Sequence, residues 1–200
     1  MMEVKHWFSN FIAHSYVKEI NNKKLAKYCL QLKSSNEGRI VSNYGGWQSK
    51  DLDFEIPVIN SLVHTIEKEI PFFTNLLSLK KKYHLRLINI WANINNQSDM
   101  NHPHVHPRMV LSGVYYVIAP PGCGDIRFMS PNFTHFHATT QITSEWNIYT
   151  AAEVSFKSEV SKLIIFPAHL MHYVLPNRTK KDRISLSFNI GIEGYKEEFN

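Results

Sequence analysis

Three histidines alternate in a short, proline-bounded segment, and their type and spacing suggest metal binding. The segment is Asn101-His102-Pro103-His104-Val105-His106-Pro107. In an extended backbone, residues i and i+2 point to the same side, so His104 and His106 can direct two imidazoles at one point. Imidazole is a ligand for iron, zinc, copper and nickel. The segment therefore predicts two ligands of a metal site whose third ligand comes from elsewhere in the chain.

The C-terminal third contains residues that could complete such a site. An apolar run, Ser161–Pro167, leads to Ala168-His169-Leu170-Met171-His172, and Arg183-Ile184-Ser185 follows. A histidine delivered by an apolar strand can supply the third metal ligand. One strand over, the Arg183 guanidinium can bind a carboxylate through paired, charge-assisted hydrogen bonds, and the Ser185 hydroxyl shares its face. The pattern predicts a metal that chelates a dicarboxylate whose far end reaches Arg183.

The spacing leaves the identity of the histidine ligands open in two places. His102 has the same parity as His104 and His106, so it could replace either of them. His169 competes with His172 as the distal ligand. Isolated histidines are more often structural or surface residues, and that interpretation applies to the others in the chain.

Around these motifs, the chain divides into a helical lead-in and a strand-rich half. Apolar spacing predicts helices over residues 17–33 and 57–79, and Pro71 should kink or split the second helix. Paired glycines mark a turn at Asn43-Tyr44-Gly45-Gly46-Trp47. Within this turn, Trp47 is expected to anchor packing.

The second half of the chain is typical of an antiparallel β protein. Period-two patterns and short turn-bounded apolar runs predict strands over residues 85–93, 110–118, 125–129, 146–149, 163–166 and 184–190. Many short strands after a helical segment favour a mainly β fold, an antiparallel sandwich or a jelly roll, with helices packed outside it. We expect one domain over residues 1–200, with a helical lead-in at 1–82 and the β core at 83–192.

Composition limits the classes of protein that fit. The chain has 200 residues and 44% hydrophobic content, enough for one substantial core. No apolar run is long enough to span a membrane, and Met1–His6 does not have the pattern of a signal peptide. With only two distant cysteines, we expect a cytoplasmic protein with free thiols. The net charge of +5 comes from scattered lysines without aromatic platforms, which does not favour nucleic-acid binding.

Several motifs together resemble the Fe(II)- and 2-oxoglutarate-dependent dioxygenases, in particular their prolyl hydroxylase-like branch. The histidine pair precedes a strand with Val114-Tyr115-Tyr116-Val117, and a glycine-rich turn and short strand follow at 122–128. The distal histidine is followed by Tyr173-Val174-Leu175-Pro176, and Arg183-Ile184-Ser185 is similar to the 2-oxoglutarate-binding motif. Within this family the chain is similar to a bacterial and phage group of oxygenases with a His-x-His motif, and the resemblance covers about residues 43–190. The resemblance implies a double-stranded β-helix, a cupin-like jelly roll.

Carried over to this chain, the resemblance implies a site and an activity. His104, His106 and His172 would bind Fe(II). Arg183, with Tyr116 and Ser185, would bind the cosubstrate 2-oxoglutarate. The protein would then be a 2-oxoglutarate-dependent hydroxylase of an unidentified substrate. A non-catalytic metal-binding jelly roll and a three-histidine cupin-type dioxygenase are the alternatives.

One position departs from the family pattern. The family at large has His-x-Asp or His-x-Glu, whereas this chain has His106 at the carboxylate position. A neutral imidazole there keeps three facial donors but removes one negative charge from the metal. We expect this change to alter the redox properties and the metal preference of the site.

Other pocket residues have two interpretations each. Tyr115 and Tyr116 face opposite sides of one strand, and the family pattern favours Tyr116 as the pocket residue. Arg183 could instead form a surface ion pair with Asp182 or Glu193. Strand asparagines could line the pocket or serve packing (Asn89, Asn93 and Asn189). The loop 130–144, with Phe133, His135, Phe136 and His137, could admit substrate or be an ordinary loop.

Overall fold

Two antiparallel sheets, stacked face to face, form the body of the protein. The computed structural model describes residues 2, 3, 5, 9–131 and 144–193, and the following strands and helices lie within them. The helices are α1 (Asn22–Ser35) and α2 (Pro57–Leu76). The strands are β1 (Ala13–Tyr16), β2 (Asn43–Tyr44), β3 (Trp47–Gln48), β4 (Leu85–Asn95), β5 (Met100–His104), β6 (Leu111–Ile118), β7 (Ile126–Met129), β8 (Glu153–Phe156), β9 (Lys162–Pro167), β10 (His172–Val174) and β11 (Arg183–Ile192).

The strand order is that of a jelly roll. The major sheet runs β1-β9-β6-β11-β4-β3, and the minor sheet runs β2-β5-β10-β7-β8. Strands that are distant in the sequence become neighbours, as when β5 lies beside β10 and β4 beside β11. The mainly β fold with flanking helices is confirmed.

The two faces of the major sheet have different chemistry because side chains alternate along each strand. On β4, Ile90, Ala92 and Ile94 are fully buried in the core that the sheet forms with the helices. The residues between them, among them Trp91 and Asn93, face the minor sheet and line a cavity. One face of the sheet thus anchors the fold, and the other supplies polar side chains to a site.

The start of α1 and the end of α2 differ from the sequence prediction. α1 begins at Asn22 rather than near Val17, because the Asn21 side chain accepts a hydrogen bond from the Lys24 backbone N–H and caps the helix. α2 begins at Pro57 as expected and ends at Leu76. It contains Pro71 and is not split there. No helix of the described residues is long and apolar enough to cross a membrane.

Most predicted strands are present, but one is wrong. Residues 146–149 form a turn, because the Asn147 side chain accepts the Tyr149 N–H at 2.9 Å and its own N–H donates to the Thr150 hydroxyl at 3.0 Å. Trp146 is 55% exposed, so this segment packs no apolar face. The minor sheet ends instead at β8, which pairs with β7 and was not predicted.

Candidate metal centre

Strand pairing brings three histidines together between the sheets. His104 ends β5 and His172 begins β10, and the two residues lie opposite each other in the antiparallel register. His106 follows β5, and its backbone N–H donates to the Ala168 carbonyl at 2.8 Å. One nitrogen from each imidazole lies within 4.8 Å of the other two. This is close enough for a single ion to contact all three.

Backbone carbonyls orient two of the three rings. The Nδ1 of His104 lies 2.6 Å from the His102 carbonyl, and the Nδ1 of His172 lies 2.9 Å from the Leu170 carbonyl. A carbonyl only accepts hydrogen bonds, so each Nδ1 carries the proton and each Nε2 keeps its lone pair. The Nε2 atoms of His106 and His172 lie 3.3 Å apart. The unprotonated nitrogens therefore converge, as a metal would require.

Burial keeps these imidazoles neutral. His172 is 3% exposed and packs against Phe166, with ring centroids 4.6 Å apart. Burial, with the charge of neighbouring histidines, lowers the pKa of His172 to about 3 and that of His106 to about 4. Burial also lowers the pKa of His104. Neutral imidazole is the form that binds metal, so the site is prepared for a cation at neutral pH.

The two alternative histidines lie outside this cluster. His102 is exposed and its ring packs edge-on against Tyr44, with centroids 5.5 Å apart. His169 is also exposed, and its Nε2 lies 3.1 Å from the Asn10 carboxamide oxygen. His102 contributes through its backbone carbonyl, which orients the His104 ring.

Arg183 lines the same cavity as the three histidines. The side chain is 1% exposed, and its Nη1 donates to the carbonyls of Cys123, Gly124 and Leu175 at 2.6, 3.1 and 3.3 Å. Among the described residues no carboxylate forms an ion pair with this guanidinium. Carbonyl dipoles thus hold a buried positive charge that lacks an anionic partner.

The surface ion pair considered for Arg183 is absent because both acidic candidates have other partners. Glu193 pairs with Arg86 at 3.1 Å. Asp182 accepts a hydrogen bond from the Asn96 side chain at 2.9 Å.

The two tyrosines of β6 point to opposite sides. Tyr115 lies in the helix-facing core and donates to the Asn22 side chain at 2.9 Å. Tyr116 lines the cavity, is 1% exposed, and its hydroxyl has no hydrogen-bond partner among the described residues. Burial raises the pKa of Tyr116 to about 12, although the nearby positive charge of Arg183 opposes the shift. Ser185 lies opposite Tyr116 in the strand register and lines the same cavity.

Gly124 is a site residue that the sequence indicated only as part of a glycine-rich turn. A Cβ at this position would lie 2.0 Å from the Leu175 carbonyl oxygen and 2.8 Å from Nη1 of Arg183. Its φ of +93° also lies in the region that favours glycine. The carbonyls of Cys123, Gly124 and Leu175 form a cradle around the Arg183 guanidinium. This cradle requires glycine at position 124.

The remaining expectations have separate outcomes. Trp47 is buried in the core, as expected for a packing anchor. Asn93 lines the cavity and donates to the Ser187 hydroxyl at 3.0 Å. Four aromatic residues of the expected entrance loop lie outside the described residues (Phe133, His135, Phe136 and His137).

Several solved structures share this fold. A prolyl-4-hydroxylase from Pseudomonas putida is 13% identical, with a TM-score of 0.65 over 90% of this chain and 91% of that chain. A viral collagen prolyl hydroxylase from Paramecium Bursaria Chlorella virus-1, solved as a 2OG complex, is 15% identical, with a TM-score of 0.58 over 90% and 94%. HygX from Streptomyces hygroscopicus, solved with nickel and 2-oxoglutarate, is 10% identical, with a TM-score of 0.60 over 92% and 83%.

The family assignment comes from the sequence of the β core. No curated protein matches the chain. A family model described as "Putative 2OG-Fe(II) oxygenase" matches residues 89–189, half of the 200-residue chain. The matched region runs from β4 to β11 and includes all three clustered histidines, Tyr116 and Arg183. The chain therefore belongs to the 2OG-Fe(II) oxygenases, a family of enzymes that use Fe(II) and 2-oxoglutarate.

Proposed function

We propose that the protein is a 2-oxoglutarate-dependent hydroxylase whose Fe(II) is bound by His104, His106 and His172. Arg183, with Tyr116 and Ser185, would bind the distal carboxylate of 2-oxoglutarate. The observation that carries the proposal is the single cavity that contains both sets of residues, three convergent imidazoles and a buried, unpaired guanidinium. An anion that bridges the two sets would satisfy both.

The donor set fits a divalent transition metal. Three neutral imidazoles, two of them held by backbone carbonyls, offer unprotonated nitrogens to one point. Fe(II) held by these three residues would still be able to bind 2-oxoglutarate. When bound, Fe(II) and 2-oxoglutarate supply the oxidising power for hydroxylation, and the protein supplies orientation and a dry environment.

The far end of the cavity fits a carboxylate. The Arg183 guanidinium is held from one side through Nη1, and the unpartnered Tyr116 hydroxyl can donate to the same anion. Hydrogen bonds between charged groups are about twice as strong as neutral ones, so a buried guanidinium is a strong anchor for a carboxylate. Neither a structural metal site nor a cupin-type enzyme without 2-oxoglutarate would require these two groups.

The charge of the cavity distinguishes this chain from the His-x-Asp pattern. Among the described residues, the cavity lining contains no aspartate or glutamate. A divalent metal here would therefore keep its full charge of two, beside the positive charge of Arg183. The attraction for a dianion is correspondingly greater, which favours 2-oxoglutarate over a neutral ligand.

Anaerobic spectroscopy tests the proposal directly. Purified protein with Fe(II) and 2-oxoglutarate should show the weak visible metal-to-ligand charge-transfer absorption of the chelate. His172→Ala should abolish this absorption, whereas His169→Ala, a matched change of an exposed histidine three residues away, should retain it. Arg183→Ala should raise the 2-oxoglutarate concentration needed for the absorption, and Arg86→Ala on the same sheet should not. Wild-type protein without the absorption would refute the proposal.

Succinate release provides a second and independent test. With Fe(II), 2-oxoglutarate and oxygen but no substrate, we expect slow formation of succinate that His172→Ala eliminates. An unchanged rate in this variant would show that the clustered histidines do not bind the reactive metal.

A further inference from the structure

A groove of about 390 Å³ opens beside the cavity that contains the three histidines, and Arg183 does not line it. The two spaces share Ser42, Trp91, His104 and His106, so the groove leads directly to the clustered histidines. Its walls include the apolar side chains of Val105 and Met109. A molecule in this groove would therefore lie next to the proposed metal.

A chain of hydrogen bonds links three residues that line the groove, Arg39, Asn89 and Asn189, through the carboxylate of Asp51. Arg39 donates from Nη2 to Oδ1 of Asp51 at 2.7 Å. Asn89 donates from Nδ2 to Oδ2 of the same carboxylate at 3.0 Å. Asn189, opposite Asn89 in the β4–β11 register, donates from Nδ2 to Oδ1 of Asn89 at 3.0 Å. Four side chains on four segments of the protein thus form one continuous relay.

The carboxylate of Asp51 fixes the direction of this relay. A carboxylate offers only acceptors, so Asn89 must turn its NH₂ group toward Asp51 and its oxygen toward Asn189. Asn189 must then turn its own NH₂ group toward Asn89. The carboxamide oxygen of Asn189 is left as the free end. It is an acceptor because Asp51 fixes the orientation of Asn89, which in turn fixes that of Asn189.

Both ends of the relay are unsatisfied. Asn189 is 7% exposed and lines the groove, and its Oδ1 has no hydrogen-bond partner among the described residues. At the other end, the Nε–H of Arg39 is also buried without a partner within the described ranges. Buried polar atoms in native proteins normally have partners, so an orphan at each end of a groove points to a ligand. That ligand would bring a donor to Asn189 and an acceptor to Arg39.

We propose that this groove binds the primary substrate through a neutral amide or lactam group, whose N–H donates to Oδ1 of Asn189. The inference rests on the proposed function, since it places the substrate beside the iron. An amide fits because it has both a donor and an acceptor. A cationic donor does not fit, because no acidic side chain of the described residues lines the groove, whereas the cationic side chain of Arg39 does.

A matched pair of small probes tests the inference. 2-Pyrrolidinone has an N–H and a carbonyl, whereas cyclopentanone has the same ring size and carbonyl but no N–H. Their affinities are measured by saturation-transfer NMR on protein loaded with Zn(II) and 2-oxoglutarate. We expect the lactam to bind about tenfold more tightly, the effect of one net hydrogen bond. Equal affinities, or binding of neither probe, would overturn the inference.

Two variants locate the interaction. Asn189→Leu removes the acceptor and should abolish the preference for the lactam. Asp51→Asn leaves the groove wall intact, but the new amide can donate to Asn89, so the relay can reverse and the preference should fall. A merely structural role for Asp51 would weaken both probes equally, and that result counts against the inference.

The same samples separate this inference from the proposed function. Binding of 2-oxoglutarate is measured for each protein by titration before the probes are added. Failure of the wild type to bind 2-oxoglutarate would refute the proposed function. Binding of 2-oxoglutarate without discrimination between the probes would leave that function intact and refute the amide site alone.

Discussion

Replacing Gly124 by alanine should weaken 2-oxoglutarate binding without removing the metal. The new Cβ would lie 2.0 Å from the Leu175 carbonyl oxygen and 2.8 Å from Nη1 of Arg183. Carbon and oxygen atoms do not approach so closely, so the carbonyl must move by more than about 1 Å to restore van der Waals contact. This movement breaks at least one of the hydrogen bonds that hold the guanidinium.

The magnitude follows from two separate costs. A non-glycine residue in the left-handed region costs about 1–2 kcal/mol, which should appear as lost stability. A hydrogen bond to a charged group contributes about 1.5–3 kcal/mol, so a displaced Arg183 should bind 2-oxoglutarate at least about tenfold more weakly. The three histidine rings form hydrogen bonds with the His102 and Leu170 carbonyls and between His106 and His172, so the affinity for the metal should change little.

Gly122→Ala is the matched control for this variant. Gly122 lies in the same turn with φ +85°, but a Cβ there would contact only the Thr179 methyl at 3.6 Å. Both variants should therefore lose stability in chemical denaturation through the left-handed backbone, and Gly124→Ala should lose more, because its Cβ also displaces the Leu175 carbonyl. Only Gly124→Ala should require more 2-oxoglutarate in a titration of the Fe(II)-loaded, oxygen-free protein. Equal effects of both variants on 2-oxoglutarate affinity would refute the role assigned to the cradle.

Three further predictions concern buried polar groups. Tyr116→Phe should leave the ligand-free protein as stable or up to about 1 kcal/mol more stable, because it removes an unpartnered buried hydroxyl. The same change should weaken 2-oxoglutarate binding several-fold. Thermal unfolding measures the first effect, and ligand titration measures the second. The metal-free protein should lose stability as pH falls below about 6.5, by about 1.4 kcal/mol per pH unit for each buried imidazole. In the folded protein the pKa values of His172 and His106 are lowered to about 3 and about 4. The unfolded chain therefore binds protons in this range that the folded chain does not. Urea denaturation at several pH values checks this, and His172→Gln should make the dependence shallower. Asn177→Ala should cost about 2–4 kcal/mol in the same assay. The carboxamide of Asn177 is fully buried and donates to the backbone carbonyls of Asn95 and Lys181 at 3.0 and 2.8 Å, and its loss would leave both carbonyls unpaired.

Some features of the site were predictable because they depend on local periodicity. Side chains alternate along a strand, so the sequence could indicate that Arg183 and Ser185 share a face and that Tyr115 and Tyr116 do not. The strand that contains Asn89 and Trp91 was recognised for the same reason. The positions of these residues relative to the two sides of the sheet follow from the chain alone.

Some helix and strand predictions were wrong or missing because local sequence signals competed with one another. Apolar residues continue the helical spacing back to Val17, but a single side chain, Asn21, caps the helix and fixes its start. The aromatic run near Trp146 has β propensity, but Asn147 and Thr150 form a turn there. Strand β8 has only four residues, Glu-Val-Ser-Phe, too short a pattern to recognise, and it is stabilised by its pairing with β7.

For the histidine segment, the sequence determines which side chains can converge, and the tertiary structure determines which of them do. The spacing of His102, His104 and His106 determines that two imidazoles can converge, since that depends on a backbone repeat of two residues. It does not select which two, or which distal histidine joins them. That selection depends on the pairing of β5 with β10, which sets His104 opposite His172. Pairing between segments distant in the sequence is a property of the packed sheets, so only the folded chain determines which histidines form the candidate metal centre.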